Sequence, residues 1–215
     1  MEALQQALRQ VLQDPIEMEN EADFLRAAVM VPIVKTEEGW SLLFEVRAAS
    51  LAWQPGEICF PGGKIDPEDA SPADTALREM CEELTLCQEQ IELVGPLNYL
   101  VTQIGVIIYP YVGVVRDHTT IRPSDAEVAE VFTVPLSYFL ETEPLVSQME
   151  MATQPLPGFP YEWLVDYPRD WKKRRTYPVY FYRYGDRVIW GLTAKVIDIF
   201  LKQCRDRLVS LLPVS

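Results

Sequence analysis

The sequence predicts an α/β protein, a sandwich of helices around a mixed β-sheet. Runs of β-branched and aromatic residues alternate along the chain with amphipathic helical stretches, a pattern typical of this fold class. The chain has 215 residues, of which 48% are hydrophobic and 11% aromatic. This composition suffices to bury a core without disulfide or metal crosslinks. No repeat, low-complexity tract or Gly/Ser linker divides the chain, so we expect a single domain over residues 1–215.

Six strands are predicted from short runs rich in valine, isoleucine and aromatic residues. The first two runs are joined by a short charged turn that contains Gly39. The segment Glu141–Arg175 is rich in proline and aromatic residues, and we expect irregular structure there. The predicted strands are Ala27–Val34, Ser41–Val46, Ile91–Val101, Val106–Val115, Val131–Val134 and Tyr177–Tyr184.

Helices are predicted from apolar spacing and from capping signals. An N-terminal helix is expected at about residues 1–14. A second helix is opened by Ser71, the predicted N-cap, and by Pro72 in the first helical position, and it runs through Thr75–Leu86. The other predicted helices are a short piece around Tyr138 and an amphipathic C-terminal helix at about 193–211.

The charge balance excludes two classes of partner. Nineteen basic residues against 32 acidic ones give a net charge of −13. Nucleic-acid binders and proteins that dock on anionic membranes rely on clustered lysine and arginine. We therefore expect no nucleic-acid partner and no membrane. An acidic protein that handles phosphates would do so through bound cations.

Cysteine usage and hydropathy predict a cytoplasmic protein with reduced thiols. The four cysteines form no zinc-type pairs, and the sequence has one histidine. The first residues lack the uncharged apolar region of a secretory signal peptide. Leu93–Val115 carries no charged residue, but glycines and prolines interrupt it. Two buried strands explain this stretch better than a membrane span does.

The chemical signal lies in the helix Thr75–Leu86. At 3.6 residues per turn, Glu79, Glu82 and Glu83 fall within an arc of about 100° and oppose an apolar face. Like charges at these spacings cost a few tenths of a kcal/mol per pair, so their clustering needs an explanation. A solvated acidic face is one explanation. A metal site is the other.

The neighbouring loops favour the metal site. A glycine-rich turn, Phe60–Lys64, leads into the helix through further acidic residues. Mg²⁺ binds through a few carboxylates together with the phosphate oxygens of a substrate. Glycine lets a backbone carbonyl approach the same ion without a side chain in the way. These parts indicate a site where acidic side chains, Mg²⁺ and a polyphosphate meet.

The segment Gly63–Leu86 resembles the signature box of the Nudix hydrolases. The Arg-Glu-x-x-Glu-Glu core of that box is intact at residues 78–83. Three departures occur. Asp69 stands where the first glutamate of the box is expected, one additional residue separates it from Arg78, and Thr85 replaces a late glycine. Because Asp69 retains the carboxylate and Thr85 falls at the end of the helix, these departures concern positioning more than chemistry.

A second resemblance narrows the expected substrate. Leu42–Gly63 is similar to the segment that precedes the box in the coenzyme A pyrophosphatase branch of the Nudix family, with matches at Arg47, Ser50, Gly56 and the Phe-Pro-Gly-Gly run. Val188–Ala194 before the last helix also resembles that branch. The resemblance implies an α/β/α sandwich and the hydrolysis of coenzyme A or acyl-coenzyme A at the pyrophosphate. ADP-ribose or NADH as substrate and a non-catalytic nucleotide-sensing module remain the alternatives.

The resemblance also implies roles for individual residues. Glu79, Glu82 and Glu83 would hold Mg²⁺ or Mn²⁺ together with the carbonyl of Gly62, and Arg78 would orient the glutamates. The remaining candidates lie outside the helix and are Glu127 as general base with Glu130 as its alternative, and Arg47, Gly63 and Lys64 as substrate contacts.

Several of these assignments have plainer alternatives. Arg47 and Lys64 are also suited to pairing with surface acids. The cationic run Lys172–Arg175 suits either a nucleotide phosphate or a solvated turn. Symmetric dimers are the commonest soluble oligomers, and on this ground alone we expect a homodimer.

Overall fold

The computed structural model describes residues 18–212, so the predicted helix at about 1–14 lies outside the described residues. Eleven strands and three α-helices are described in this part of the chain. The strands are β1 Leu25–Thr36, β2 Gly39–Arg47, β3 Ile58–Cys59, β4 Gly62–Lys64, β5 Ile91–Pro96, β6 Leu100–Val101, β7 Val106–Val115, β8 Val128–Pro135, β9 Leu145–Thr153, β10 Lys172–Tyr184 and β11 Arg187–Trp190. The helices are α1 Pro72–Leu84, α2 Leu136–Glu141 and α3 Gly191–Leu211.

The main sheet is mixed, because β1 and β7 run parallel while its other strand pairs are antiparallel. Strands β1 and β2 form a hairpin in which Ile33 lies opposite Leu42. Further along they diverge, and the short strands β3 and β4 pair with β2 and β1 respectively. This divergence brings the glycine-rich turn into the sheet. A second antiparallel sheet has the order β11-β10-β9.

Helices cover both faces of the main sheet. Met30, Val34 and Leu43 pack with the apolar side of α1 on one face. On the other face, β2 contributes Leu42 and Phe44 to a core shared with α2, α3 and the second sheet. Each large apolar side chain that is fully buried stabilises the folded state by about 1.5–3 kcal/mol relative to leaving it exposed. The predicted α/β sandwich around a mixed sheet is confirmed.

Both ends of α1 are formed by local sequence signals. Ser71 is the N-cap: its side chain accepts a hydrogen bond from the backbone N–H of Asp74, and Pro72 occupies the first turn. Thr85 ends the helix in the left-handed conformation at φ 53°, which a glycine would adopt more easily. The last carbonyls of α1 accept hydrogen bonds from a following loop, with 2.8 Å from the N–H of Ser124 to the carbonyl oxygen of Glu83.

Two expectations about secondary structure are wrong. The segment Glu141–Arg175 contains the nine-residue strand β9 and the beginning of β10, where irregular structure was predicted. Its cationic run Lys172–Arg175 is therefore strand and not turn. Strand β9 is exposed over most of its length and lacks apolar alternation. Backbone pairing with β10 holds it in the strand conformation. The predicted strand Ile91–Val101 is interrupted after Pro96, which has no N–H to continue the ladder.

The stretch Leu93–Val115 forms strands, in agreement with the prediction. No helix within residues 18–212 combines the length and the apolar character that crossing a membrane requires.

Candidate functional site

A cavity of about 820 Å³ opens where β1 and β2 diverge and α1 passes over the sheet. Its wall includes Gly62 and Gly63 of β4, and Glu79 and Glu83 of α1. The loop before β8 adds Glu127 to the same wall. Gly62 and Glu127, which lie 65 positions apart in the sequence, thus share one cavity.

Gly62 and Gly63 allow the chain to pass between strand and helix. A Cβ at Gly62 would lie 2.4 Å from the carbonyl oxygen of Ala28, and Gly62 has a φ of +153° that side chains rarely adopt. A Cβ at Gly63 would lie 2.4 Å from the carboxyl carbon of Glu79. Glycine avoids a close contact at both positions, but the obstacles differ: at Gly62 the obstacle is mainly backbone, whereas at Gly63 it is an acidic side chain of the cavity.

Glu83 is the buried acid of α1, with 4% of its surface exposed. Its Oε2 accepts a hydrogen bond of 2.9 Å from the backbone N–H of Gly62, which ties α1 to β4. Burial raises the pKa of Glu83 well above the ordinary carboxyl value, and neighbouring carboxylates raise it further. The site therefore resists the build-up of negative charge when no cation is bound.

Arg78 of the same helix contacts three carboxylates. It donates to both oxygens of Asp69 at 3.1 and 3.0 Å, and it pairs with Glu79 at 2.9 Å and with Glu82 at 3.2 Å. The hydrogen bonds from Arg78 and Thr75 lower the pKa of Asp69 to about 2. The aspartate at the departure from the Nudix box thus reaches the arginine despite its shorter side chain.

The three glutamates of α1 differ in exposure. The side chain of Glu79 is 17% exposed and lies on the cavity wall, and burial raises its pKa although Arg78 opposes the shift. The side chain of Glu82 is 58% exposed, and Glu82 does not line the cavity. The helix therefore presents Glu79 and Glu83 to the cavity and Glu82 beside its edge.

The two acids considered as general base occupy different places. Glu127 lines the cavity, and its backbone carbonyl accepts a hydrogen bond of 2.8 Å from the N–H of Ala48. Glu130 lies outside this cavity and forms a two-pronged ion pair with Arg187 of β11. Because Glu130 lies on β8 and Arg187 lies on β11, this ion pair links the two sheets. The guanidinium of Arg187 also lies over the ring of Phe132, 4.0 Å from its centroid.

The cationic candidates are only partly brought to the cavity. Arg47 and Lys64 both line it, and the Nε of Arg47 donates to the carbonyl oxygen of Trp53 at 3.2 Å. The run Lys172–Arg175 does not line it. In that run, Lys173 pairs with Glu150 of the neighbouring strand.

One acid of this region was missed by the sequence analysis. Glu45 of β2 is 1% exposed, and the thiol of Cys59 donates a hydrogen bond of 3.2 Å to its Oε1. Burial raises its pKa, an effect that Cys59 partly offsets. The signal that could have identified Glu45 is its position as the one charged residue in the apolar run Ser41–Val46.

The donors at this site suit a hard divalent cation. Carboxylate oxygens dominate, and burial disfavours the ionised forms of Glu79 and Glu83, which a bound divalent cation would stabilise. Among residues 18–212, no three acidic, histidine or cysteine side chains are already gathered closely enough to hold a metal ion. Arg78 holds Glu79 and Glu82, while Gly62 holds Glu83, so cation binding requires these side chains to rearrange.

Comparison with known proteins finds relatives in one family. Residues 24–150 match the family described as NUDIX domain. The Nudix hydrolase NudL of Photorhabdus laumondii is 34% identical over 177 residues, which are 82% of this chain and 83% of that protein. The peroxisomal coenzyme A diphosphatase NUDT7 of Mus musculus is 41% identical over 127 residues, 59% of this chain and 53% of that protein. A MutT/nudix family protein from Enterococcus faecalis shares the fold, with a TM-score of 0.50 and 16% identity over 96% of this chain and 70% of that chain.

Proposed function

The chain belongs to the Nudix hydrolase family, and from this premise we propose that it hydrolyses the pyrophosphate bond of coenzyme A or of an acyl-coenzyme A. A water oxygen attacks one phosphorus, and the bridging P–O bond breaks. The products are 3′,5′-ADP and 4′-phosphopantetheine or its acylated form. The similarity to the mouse coenzyme A diphosphatase supports this substrate, as does the Leu42–Gly63 segment.

The observation that carries the proposal is the mixed lining of one cavity. Carboxylates lie beside an extended apolar wall that includes Leu25, Val29, Ile104, Ile108, Val179 and Leu192. A diphosphate that bears a long, weakly polar arm matches both parts of this lining. The second ribose of ADP-ribose would instead place hydroxyl groups against apolar side chains, where they lose their hydrogen bonds to water.

Glu79, Glu82 and Glu83, with the carbonyl of Gly62, are the proposed ligands of Mg²⁺ or Mn²⁺. When bound, a divalent cation neutralises charge on the pyrophosphate and lowers the pKa of a coordinated water. Arg78 orients Glu79 and Glu82 through the ion pairs described above.

The remaining roles fall to residues outside α1. Glu127 is the proposed general base, because its side chain lines the cavity and can accept the proton of the attacking water. Arg47 and Lys64 line the same cavity and contact the phosphates. Gly63 lines the same cavity and is a proposed substrate contact, and its lack of a side chain leaves room for the Glu79 carboxylate.

A substrate panel tests the proposal. Purified protein is incubated with Mg²⁺ or Mn²⁺ and with coenzyme A, hexanoyl-coenzyme A, ADP-ribose, NADH or nucleoside triphosphates, and the products are separated by chromatography. We expect 3′,5′-ADP from the two coenzyme A substrates and no turnover in EDTA. Preferential hydrolysis of ADP-ribose or NADH would contradict the substrate assignment. Absence of turnover across the panel would favour a nucleotide-sensing module.

Two matched variants test the general base. Glu127→Gln is expected to lower kcat by about 100-fold or more, because proton transfer contributes 10²–10⁴-fold, and to leave the Kd for Mn²⁺ within about threefold of the wild type. Glu130→Gln removes the same charge from an ion pair outside the cavity and is expected to leave kcat unchanged. The assignment fails if Glu130→Gln has the larger effect on kcat.

A further inference from the structure

Glu45 is a buried carboxylate with one oxygen that lacks a partner. It is 1% exposed, and its Oε1 accepts a hydrogen bond from the Cys59 thiol at 3.2 Å. Its Oε2 is buried and has no hydrogen-bond partner among residues 18–212. An unpaired buried carboxylate oxygen is unfavourable for folding, so its presence calls for a ligand or a function.

The fold places this carboxylate behind the cavity wall: Glu45 does not itself line the cavity, but its neighbours on β2 and β3 do. Side chains alternate along a strand, so Glu45 shares a face of β2 with Leu43 and Arg47. Leu43 packs in the core beneath α1, and Arg47 lines the cavity. The register partner of Glu45 on β3 is Cys59, which also lines the cavity. The Glu45 carboxylate therefore lies between the core under α1 and the cavity that contains the α1 acids.

Charges of both signs act on Glu45, and the effect of Arg47 exceeds that of Glu127 or Glu79. The carboxylates of Glu79 and Glu127 repel it, and it in turn repels Glu83. Arg47 is the nearby positive group, and its Nε is directed to the Trp53 carbonyl. The protein thus adds a further buried acid to a group of acids whose ionised forms repel one another.

We propose that Glu45 is a further acid of the divalent-cation centre, whose free Oε2 strengthens cation binding beside Glu79 and Glu83. This inference rests on the proposed function, because it assumes that a divalent cation binds at these acids. It explains why an unpaired carboxylate persists in a strand that is otherwise apolar. A bound cation would offset the repulsion that Glu45 adds to the metal-free protein.

The test is a titration with Mn²⁺, followed by calorimetry and by the electron paramagnetic resonance signal of the free ion. Glu45→Gln retains the shape of the side chain and removes the charge, and its Kd for Mn²⁺ is expected to rise at least tenfold. Glu45→Asp retains the charge on a shorter side chain, and its Kd should lie between those of the wild type and Glu45→Gln. Glu92→Gln, which removes an exposed charge on β5, is the matched control and should bind Mn²⁺ as the wild type does.

Thermal unfolding in EDTA separates a role in cation binding from a role in folding. Removal of an unpaired buried charge should not destabilise the metal-free protein, so the Tm of Glu45→Gln is expected to equal or exceed that of the wild type. A Kd within twofold of the wild type would overturn the inference, and so would a Tm in EDTA that is several degrees lower. Wild-type protein that binds Mn²⁺ but leaves coenzyme A intact would refute the proposed substrate and not the role of Glu45.

Discussion

Replacement of Gly63 by alanine is expected to disable the site while leaving the fold nearly intact. The new Cβ would lie 2.4 Å from the carboxyl carbon and Oε1 of Glu79, and 2.7 Å from its Oε2. Ordinary contact begins near 3.4 Å, so the carboxylate must move by about 1 Å. A misplacement of about 1 Å in an active site can cost about 100-fold in rate. We therefore expect kcat/KM to fall by about two orders of magnitude, which is about 2.7 kcal/mol.

The cost of Gly63→Ala to stability should be small, because the obstacle is the end of a flexible side chain. A cost of about 1 kcal/mol corresponds to a fall in Tm of about 2–4 °C for a chain of this size. Gly62→Ala provides the contrast. Its Cβ would meet the backbone of Ala28 at 2.4 Å and of Val29 at 2.7 Å, and the alanine would have to adopt a φ of +153°. We expect about 3 kcal/mol of destabilisation and a fall in Tm of about 6–12 °C.

The assay combines thermal unfolding in EDTA with steady-state hydrolysis of coenzyme A, in which the release of 3′,5′-ADP is measured by chromatography. The Kd for Mn²⁺ of each folded variant adds a measurement that does not depend on turnover. A Gly63→Ala variant with kcat/KM within threefold of the wild type would refute the claim that the Glu79 carboxylate must stay where it is. Equal falls in Tm for the two variants would refute the distinction between a side-chain and a backbone obstacle.

Three further outcomes are expected from the same structure. Arg78→Lys should lower kcat at least tenfold with little change in Tm, because one ammonium group cannot replace the fork that holds Asp69 and two glutamates; unchanged kinetics would contradict the positioning role. Thr85→Gly should raise the free energy of unfolding by about 1 kcal/mol in urea titrations, because glycine adopts the left-handed φ of 53° without strain. Thr85→Ala keeps a side chain in that conformation and should bring no such gain. Burial raises the pKa of Glu83 above its ordinary value of 4.5, so the unfolded chain releases this proton first as the pH rises. The Tm of the metal-free protein should therefore fall between pH 5 and pH 9 in calorimetric scans, and the fall should be smaller in Glu83→Gln. A Tm in EDTA that rises over this range would show that the sign of the argument is wrong.

Local signals account for the parts of the molecule that were predicted well. The N-cap Ser71 and the apolar face of α1 depend on residues within one or two helical turns, and both are found as predicted. Strand β7 has the predicted bounds, because β-branched and aromatic residues dominate its run despite Pro110 and Gly113. Strand β9 was missed, since its residues are mostly exposed and its strand conformation depends on pairing with β10.

The sequence by itself determined the fold class, the acidic helix with its glycine-rich approach, and the resemblance that assigns the family. The tertiary structure alone decided which acids share a cavity. It brought Glu127 to the cavity, whereas Glu130 forms an ion pair with Arg187. It also brought Glu45, the isolated acid of a buried strand, close to the acids of α1. The physical reason is range: caps and helical periodicity act over a few residues, whereas the divergence of β1 and β2 depends on pairings between strands distant in the sequence.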